Sequence, residues 1–247
     1  MKNLKNKRKI FVILIIISAL ILALIIGCAI YLSDYYKAEN EKIEAFLPQK
    51  TTEVYKNNYI AFGEDDFEYG LIFYPGGKVE HKAYIPLMRA LAEEGIFCVL
   101  IEMPFNLAVF DINAADGICE NYPGVSHWYI GGHSLGGSMA ASYLSDNTDL
   151  LDGLVLLGSY STADISGTGD RVISLYGSED GVMNREKYEK NKENLPSDFV
   201  EIIIEGGSHA YFGMYGEQDG DGIAKISAEE QIIFTADRIA DFLKQNG

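Results

Sequence analysis

"DGICENYPGVSHWYIGGHSLGGSMAASYLSD" (residues 116–146) places glycines at 131, 132, 136 and 137 around a single serine, Ser134. Glycine costs roughly 0.5–1 kcal/mol relative to alanine inside a helix or a strand. Four of them within seven residues therefore mark a backbone that turns too sharply to accommodate side chains. The β-rich run "VSHWYIGG" (125–132) before the turn predicts a strand, and "SLGGSMAASYLSDN" (134–147) after it predicts a helix. A strand, a tight glycine turn and a helix in that order form half of a parallel crossover unit, and the rest of the chain repeats the pattern.

Working outward, strand-like and helix-like runs alternate. "VYKNNYIAFG" (54–63), "YGLIFYPGG" (69–77) and "IFCVLIEMP" (96–104) read as strands, with the helical spacing of "YIPLMRALAEEG" (84–95) between the last two. "FDINAADGICENY" (110–122) is expected to be helical. "LDGLVLLGSYS" (151–161), "RVISLYGSED" (171–180) and "DFVEIIIEGGSH" (198–209) read as strands, "REKYEKNKEN" (185–194) as a polar helix, and "SAEEQIIFTADRIADFLKQ" (227–245) as an amphipathic closing helix. Strands that are apolar throughout are buried on both faces, as in a parallel sheet covered by helices. The expected fold is therefore a doubly wound α/β domain with right-handed crossovers, whose site lies beyond the carboxyl ends of the strands.

The first 33 residues are of different character. "MKNLKNKRK" holds five basic residues, and residues 10–32 form an uncharged apolar run of 23. At about 1.5 Å per residue, that run spans a hydrocarbon core of about 30 Å. It exceeds the roughly 7–15 apolar residues of a cleaved signal, so residues 1–33 are expected to be a basic flank and a retained transmembrane anchor. Basic flanks stay cytoplasmic, which puts the rest of the chain outside the cell membrane. The order Ile25-Ile26-Gly27-Cys28 leaves a lipoprotein, lipidated at Cys28, as the alternative; both readings give a tethered domain. Residues 34–50, charged and ending near Pro48, are expected to be a stalk, and 51–247 a single catalytic domain.

Residues 34–247 carry 15 basic against 36 acidic side chains, a net of −21. Such a domain repels nucleic acid and anionic lipid head groups. Cys98 and Cys119, the thiols beyond the apolar run, make neither a disulfide framework nor a zinc site. "GEQDGDG" (216–222) lacks the spacing of a calcium loop and reads as a solvated turn. No metal or cofactor is expected, and oligomeric state is left open.

Gly132-His133-Ser134-Leu135-Gly136 fits G-x-S-x-G in the strand–turn–helix setting that such a motif requires. A serine hydroxyl is a poor nucleophile without a base, and the base needs an orienting acid. Of the four histidines, His127 opens the strand at the wrong end of the sheet, and His133 cannot easily turn back onto Ser134. His81 follows the Pro75-Gly76-Gly77 turn and could line the site. His209, just beyond the last apolar strand, is the expected base. For the acid, Asp180 beyond the end of "VISLYG" is the better placed, with Glu179 as the alternative. An oxyanion would be held by the amides of Leu135 and Gly77. Only ten residues (161–170) separate the strands between which a lid would insert, so the site is expected to be open. Phe105, Leu107, Val109 and Phe110, together with Tyr211 beyond the histidine, are the candidates for contacting substrate.

The residues "YPGGKVE", "GGHSLGG", "LYGSEDGV" and "GGSHAYFGMYGEQDGDG" give residues 52–247 a resemblance to α/β-hydrolases of the compact, lidless bacterial kind, close to dienelactone-hydrolase-like enzymes and small esterases. The chain order Ser134, Asp180, His209 agrees with that resemblance. The resemblance implies cofactor-free hydrolysis of a carboxylic ester or related acyl bond in a small-molecule or surface-presented substrate. It covers thioesterases, acyltransferases and peptidases as well, and a non-catalytic binding module is the remaining alternative. Ser134 stands where the dienelactone group resembles a cysteine-nucleophile enzyme, which is a departure from that group.

Overall fold

The computed structural model describes residues 2–46 and 51–245, and of residues 2–8 only the helical backbone. The expected end of the stalk near Pro48 lies outside the described residues. The chain forms two compact units, Met1–Tyr35 and Tyr36–Gly247. The first is helix α1 (Lys2–Ser33), whose stretch Lys9–Ser33 contains an 18-residue window of mean hydropathy 3.4 and is long and apolar enough to cross a membrane. A helix pairs every interior backbone group within itself, so it is the form an apolar run of this length takes in lipid. Cys28 lies within it as a free, exposed thiol.

The second unit is built on one sheet. Its strands are β1 (Glu53–Tyr55), β2 (Tyr59–Phe62), β3 (Tyr69–Tyr74), β4 (Ile96–Ile101), β5 (His127–His133), β6 (Gly153–Leu157), β7 (Arg171–Gly177) and β8 (Val200–Ile204). They lie in the order β1-β2-β4-β3-β5-β6-β7-β8. From β4 to β8 every neighbouring pair is parallel; β1–β2 and β2–β4 are antiparallel. Strands β3, β4 and β6 are buried along their whole length, which accounts for their unbroken apolar sequences. Helices α3 (Ile85–Glu93) and α7 (Ala228–Lys244) cover one face of the sheet. Helices α4 (Ile118–Asn121) and α5 (Leu135–Asp146) cover the other. The start of α7 is secured by a capping box: Ser227 Oγ accepts the Glu230 amide and the Glu230 carboxylate accepts the Ser227 amide. Such a cap stabilises a helix by about 1 kcal/mol.

Two expected elements differ in the structure. The strand expected at 54–63 is a tight antiparallel hairpin, closed where the Lys56 amide donates to the Tyr59 carbonyl at 2.9 Å. Asn57 and Asn58 supply its turn, since asparagine readily competes with strand pairing. The helix expected at 110–122 shrinks to α4, because Gly117 takes a left-handed conformation at φ 76° and the residues before it fold as successive turns.

The segment expected as a stalk also packs differently. From Tyr36 to Phe46 it lies on the sheet domain, including helix α2 (Asn40–Ala45). Tyr36 pairs as a β-bridge with Val79, its amide donating to the Lys78 carbonyl and its carbonyl accepting from the Glu80 amide. Ile43 and Phe46 are buried in the core cluster that contains α3 and α7. Charge had made the segment look solvated, but the apolar side chains of Ala38, Ile43 and Phe46 are buried in the core. Phe46→Ala in the full chain is expected to cost about 3 kcal/mol and lower Tm by roughly 6–12 °C. A free stalk would leave Tm unchanged.

Candidate active site

Ser134 sits between β5 and α5 with φ 52° and ψ −121°, a conformation that non-glycine residues rarely adopt. Strain of this kind costs of order 1–3 kcal/mol and persists only where the surroundings enforce it. Here they do. A Cβ at Gly132 would come within 2.6 Å of the Tyr74 carbonyl oxygen, and one at Gly136 would collide with the carbonyls of Tyr74 and Pro75. At Gly137 it would meet Ser159 at 2.7 Å. The Ser134 amide donates to the Leu157 carbonyl at 2.9 Å, and its own carbonyl accepts from Ser159 Oγ at 2.7 Å. The half-buried Ser134 therefore stands at the crest of the turn.

Beyond the end of β7, Asp180 is buried with both oxygens engaged. Oδ1 accepts the amides of Val182 and Met183 at 2.9 and 2.8 Å, and Oδ2 lies 2.8 Å from Nδ1 of His209. Burial by itself would push the carboxyl up, but the hydrogen bond and charge of His209 and the two amides outweigh it and hold the carboxyl below its usual range. An ionised carboxylate only accepts, so Nδ1 carries the proton and Nε2 of His209 is left as the basic nitrogen. That Nε2 is buried and, among the described residues, has no hydrogen-bond partner. Glu179 points elsewhere, pairing with Lys225 at 2.7 Å.

His209 is held from behind by α7: the Gln231 side chain both accepts the Ser208 amide at 2.9 Å and donates to the Ser208 carbonyl at 2.8 Å. Gly158 adjoins it in a left-handed conformation at φ 51°. A Cβ there would lie 2.9 Å from His209 Nδ1 and 3.2 Å from Asp180 Oδ2.

His133 has a part that its place in the turn did not reveal. Its ring lies 4.4 Å from that of His209, and its Nδ1 is 2.7 Å from the Tyr84 hydroxyl. That hydroxyl also accepts the Gly76 amide at 3.1 Å, so it ties His133 to the loop preceding Gly77. Burial, then the neighbouring His209, push the His133 imidazole well below its usual range. A neutral His133 leaves His209 free to take up a proton without an adjacent cation.

Gly77 and Leu135 adjoin one another: a Cβ at Gly77 would meet the Leu135 side chain at 2.9 Å and Leu107 at 3.6 Å. The Leu135 amide, first in α5, has no acceptor within its own helix and lies at the positive end of the helix dipole.

The other candidates disperse. Leu107 is buried beside Gly77, whereas Phe105 and Phe110 form an exposed edge-to-face pair at 5.8 Å, and Val109 is exposed too. A cavity of about 260 Å³ beside Ser134 is lined instead by Leu135, Gly158, Tyr160, Val182 and Met183, among others. Tyr211 lines two other cavities and not this one. His81 opens the short helical turn that carries Tyr84, its imidazole pushed below the usual range by burial, against the opposing charge of Glu102, and His127 stacks on Tyr69 at the far end of β5. Tyr160, Val182 and Met183 lie in the loops after β6 and β7, so the strand-end rule pointed to their neighbourhood but not to the individual side chains. No helix interrupts residues 158–170 between β6 and β7. Among the described residues, no three His, Cys, Asp or Glu side chains converge as a metal-ligand set would require.

Residues 70–233 match the model of the alpha/beta hydrolase family. No curated protein matches the chain by sequence. Among solved structures, the chain is similar to a dienelactone hydrolase from Anabaena variabilis, with a TM-score of 0.58 and 14% identity over 80% of this chain and 99% of that one. It is similar to the carboxylesterase CesB from Bacillus subtilis, with a TM-score of 0.59 and 11% identity over 84% and 96%. It is likewise similar to Est1E from Butyrivibrio proteoclasticus, with a TM-score of 0.54 and 12% identity over 78% and 98%. At these identities the likeness is one of fold.

Proposed function

The chain belongs to the alpha/beta hydrolase family, and from that premise we propose that it is a serine esterase tethered to the cell membrane by α1, with its catalytic domain outside. The observation that carries the reading is the buried Asp180–His209 pair, 2.8 Å apart, adjoined by Gly158, which lines the same cavity as the strained Ser134. Ser134 Oγ attacks the acyl carbon of the ester while His209 Nε2 takes its proton. The Asp180 carboxylate keeps the proton on Nδ1 and stabilises the imidazolium that forms. Charge developing on the carbonyl oxygen is held by the amides of Leu135 and Gly77. His209 returns the proton to the departing alcohol, and water repeats the sequence to free the acid. Among the described residues His209 Nε2 is unpartnered, and in this reading its hydrogen bond with Ser134 Oγ forms once substrate is bound, as catalytic hydrogen bonds are often long or misaligned without it.

The cavity of about 260 Å³ beside Ser134 suits a small acyl or alcohol group. With no helix between β6 and β7, a bulkier remainder would extend into solvent. The basic flank at the start of α1, before its apolar run, supports the orientation, since such flanks stay cytoplasmic.

One experiment addresses chemistry and topology together. Intact cells producing the full chain are treated with a membrane-impermeant fluorophosphonate, and the modified residue is located by mass spectrometry. Labelling of Ser134 without lysis is the expected result. Labelling only after lysis would reverse the orientation, and failure to label folded protein in either case would remove the serine mechanism. A panel of short esters and thioesters on the same protein then separates an esterase from a thioesterase.

A further inference from the structure

The segment 216–225 follows the histidine loop, and its first part, 216–222, was expected to be a solvated turn, yet it is packed against the candidate site. Asp221 reaches back from it with both carboxylate oxygens. Oδ2 accepts the Ala210 amide at 2.8 Å, and Ala210 directly follows His209. Oδ1 accepts the Gly181 amide at 3.1 Å, and Gly181 directly follows Asp180. Oδ1 also accepts the amide of Gly222 at 2.9 Å, which fixes the carboxylate on its own turn. One side chain therefore bridges the two loops that carry Asp180 and His209.

The approach leaves no spare room. A Cβ at Gly181 would come within 3.0 Å of the Gly222 amide nitrogen, and one at Gly222 would collide with the Glu179 carbonyl. The segment is docked independently of Asp221 as well. The Lys225 amide donates to the Gly206 carbonyl at 2.7 Å, and the Lys225 side chain pairs with Glu179. At the other end, the Asp219 amide donates to the Tyr36 hydroxyl at 3.1 Å. Replacing Asp221 removes the bridge and leaves the segment in place.

We infer that Asp221 is a positioning residue that sets the register between Asp180 and His209, an inference that rests on the triad reading above. Charge-assisted bonds to two amides are stronger than neutral ones. The carboxylate-to-imidazole geometry they protect is sensitive, because a displacement of about 1 Å in reacting groups costs on the order of 10²-fold in rate. Ala210 and Gly181 sit one residue from the paired side chains, so loosening either loop shifts His209 against Asp180 without touching substrate.

The test compares Asp221→Asn, Asp221→Ala and the control Asp219→Asn in the full chain, with Ser134→Ala beside them. Asparagine places an NH₂ where one of the amides needs an acceptor, and alanine removes both acceptors. Per folded molecule, with the folded fraction measured by circular dichroism, kcat should fall about 10-fold for Asp221→Asn and about 100-fold for Asp221→Ala. KM should change little. Asp219→Asn removes the same charge from an exposed neighbour and should leave kcat within about twofold. A readout independent of turnover is the deshielded Nδ1 proton of His209 in the NMR spectrum, expected to broaden or shift upfield in both Asp221 variants. Unchanged kcat per folded molecule with an unchanged Nδ1 proton overturns the proposal, as does outright unfolding of both variants, which would make Asp221 a folding residue. Hydrolysis surviving in Ser134→Ala would instead overturn the triad reading, so the two failures are distinct.

Discussion

Ser134→Ala is expected to lower kcat for ester hydrolysis by at least about 10⁴-fold while leaving the protein folded. Alanine keeps the Cβ and so inherits the same strained backbone at φ 52°. The amide bond to Leu157 and the carbonyl bond from Ser159 do not involve the hydroxyl, so both remain. What is lost is the nucleophile alone, and any residual rate comes from the oxyanion amides and binding. The strain makes a second measurement informative. Ser134→Gly abolishes the same chemistry but relieves the positive φ, so it should melt higher than Ser134→Ala, by the equivalent of about 1 kcal/mol. Ester hydrolysis at the wild-type rate in folded Ser134→Ala would remove the serine from the mechanism. Equal melting of the two variants would mean that the turn imposes no strain on residue 134.

Asp180→Asn should cost about 10⁴-fold, nearly as much as loss of the nucleophile. The substitution keeps an oxygen to accept the Val182 and Met183 amides, so the loop should hold its shape. The other atom becomes an NH₂ facing His209 Nδ1, which forces that nitrogen to accept and moves the ring proton to Nε2. The ring then stays in place in the wrong tautomer and has nothing with which to take the Ser134 proton. In the unsubstituted enzyme, kcat/KM should fall as the pH drops, because His209 serves as the base only when neutral. Asp180, held below the usual carboxylate range, remains ionised throughout that fall. Glu179→Gln breaks only a solvent-exposed pair with Lys225 and should change kcat within a few-fold. If Glu179→Gln proved the inactive variant and Asp180→Asn the active one, the acid assignment would pass to Glu179, against the geometry.

The proposed roles of Ser134 and His209 depend on surroundings that differ greatly in how far they were readable. The turn around Ser134 was legible because glycine spacing reports sterics within a few residues. The place of Asp180 was legible up to a choice with Glu179, since both follow the same strand end; the structure sets Asp180 against His209 and turns Glu179 to Lys225. The apolar residues 105–110 attracted attention as a pocket because composition shows hydrophobicity but not direction. In the fold, Leu107 turns inward beside Gly77, while Phe105 and Phe110 stack on each other in solvent.

From the sequence by itself came the elements that local physics specifies. The apolar period of the strands, the glycine turn at 131–137, the apolar length of 10–32 and the order of Ser134, Asp180 and His209 all follow from neighbours close along the chain. Only the tertiary structure decided which distant groups meet. Tyr84 reaches His133 across 49 positions, Asp221 reaches Gly181 across 40, and Glu80 holds the Ala38 amide across 42. Such pairs are brought together by the strand order and its crossovers, which place the ends of β3, β5 and β7 along one edge of the sheet. No window of sequence carries that information. A hydrogen bond between two loops depends on where the sheet puts them, and the sheet is a property of the whole chain.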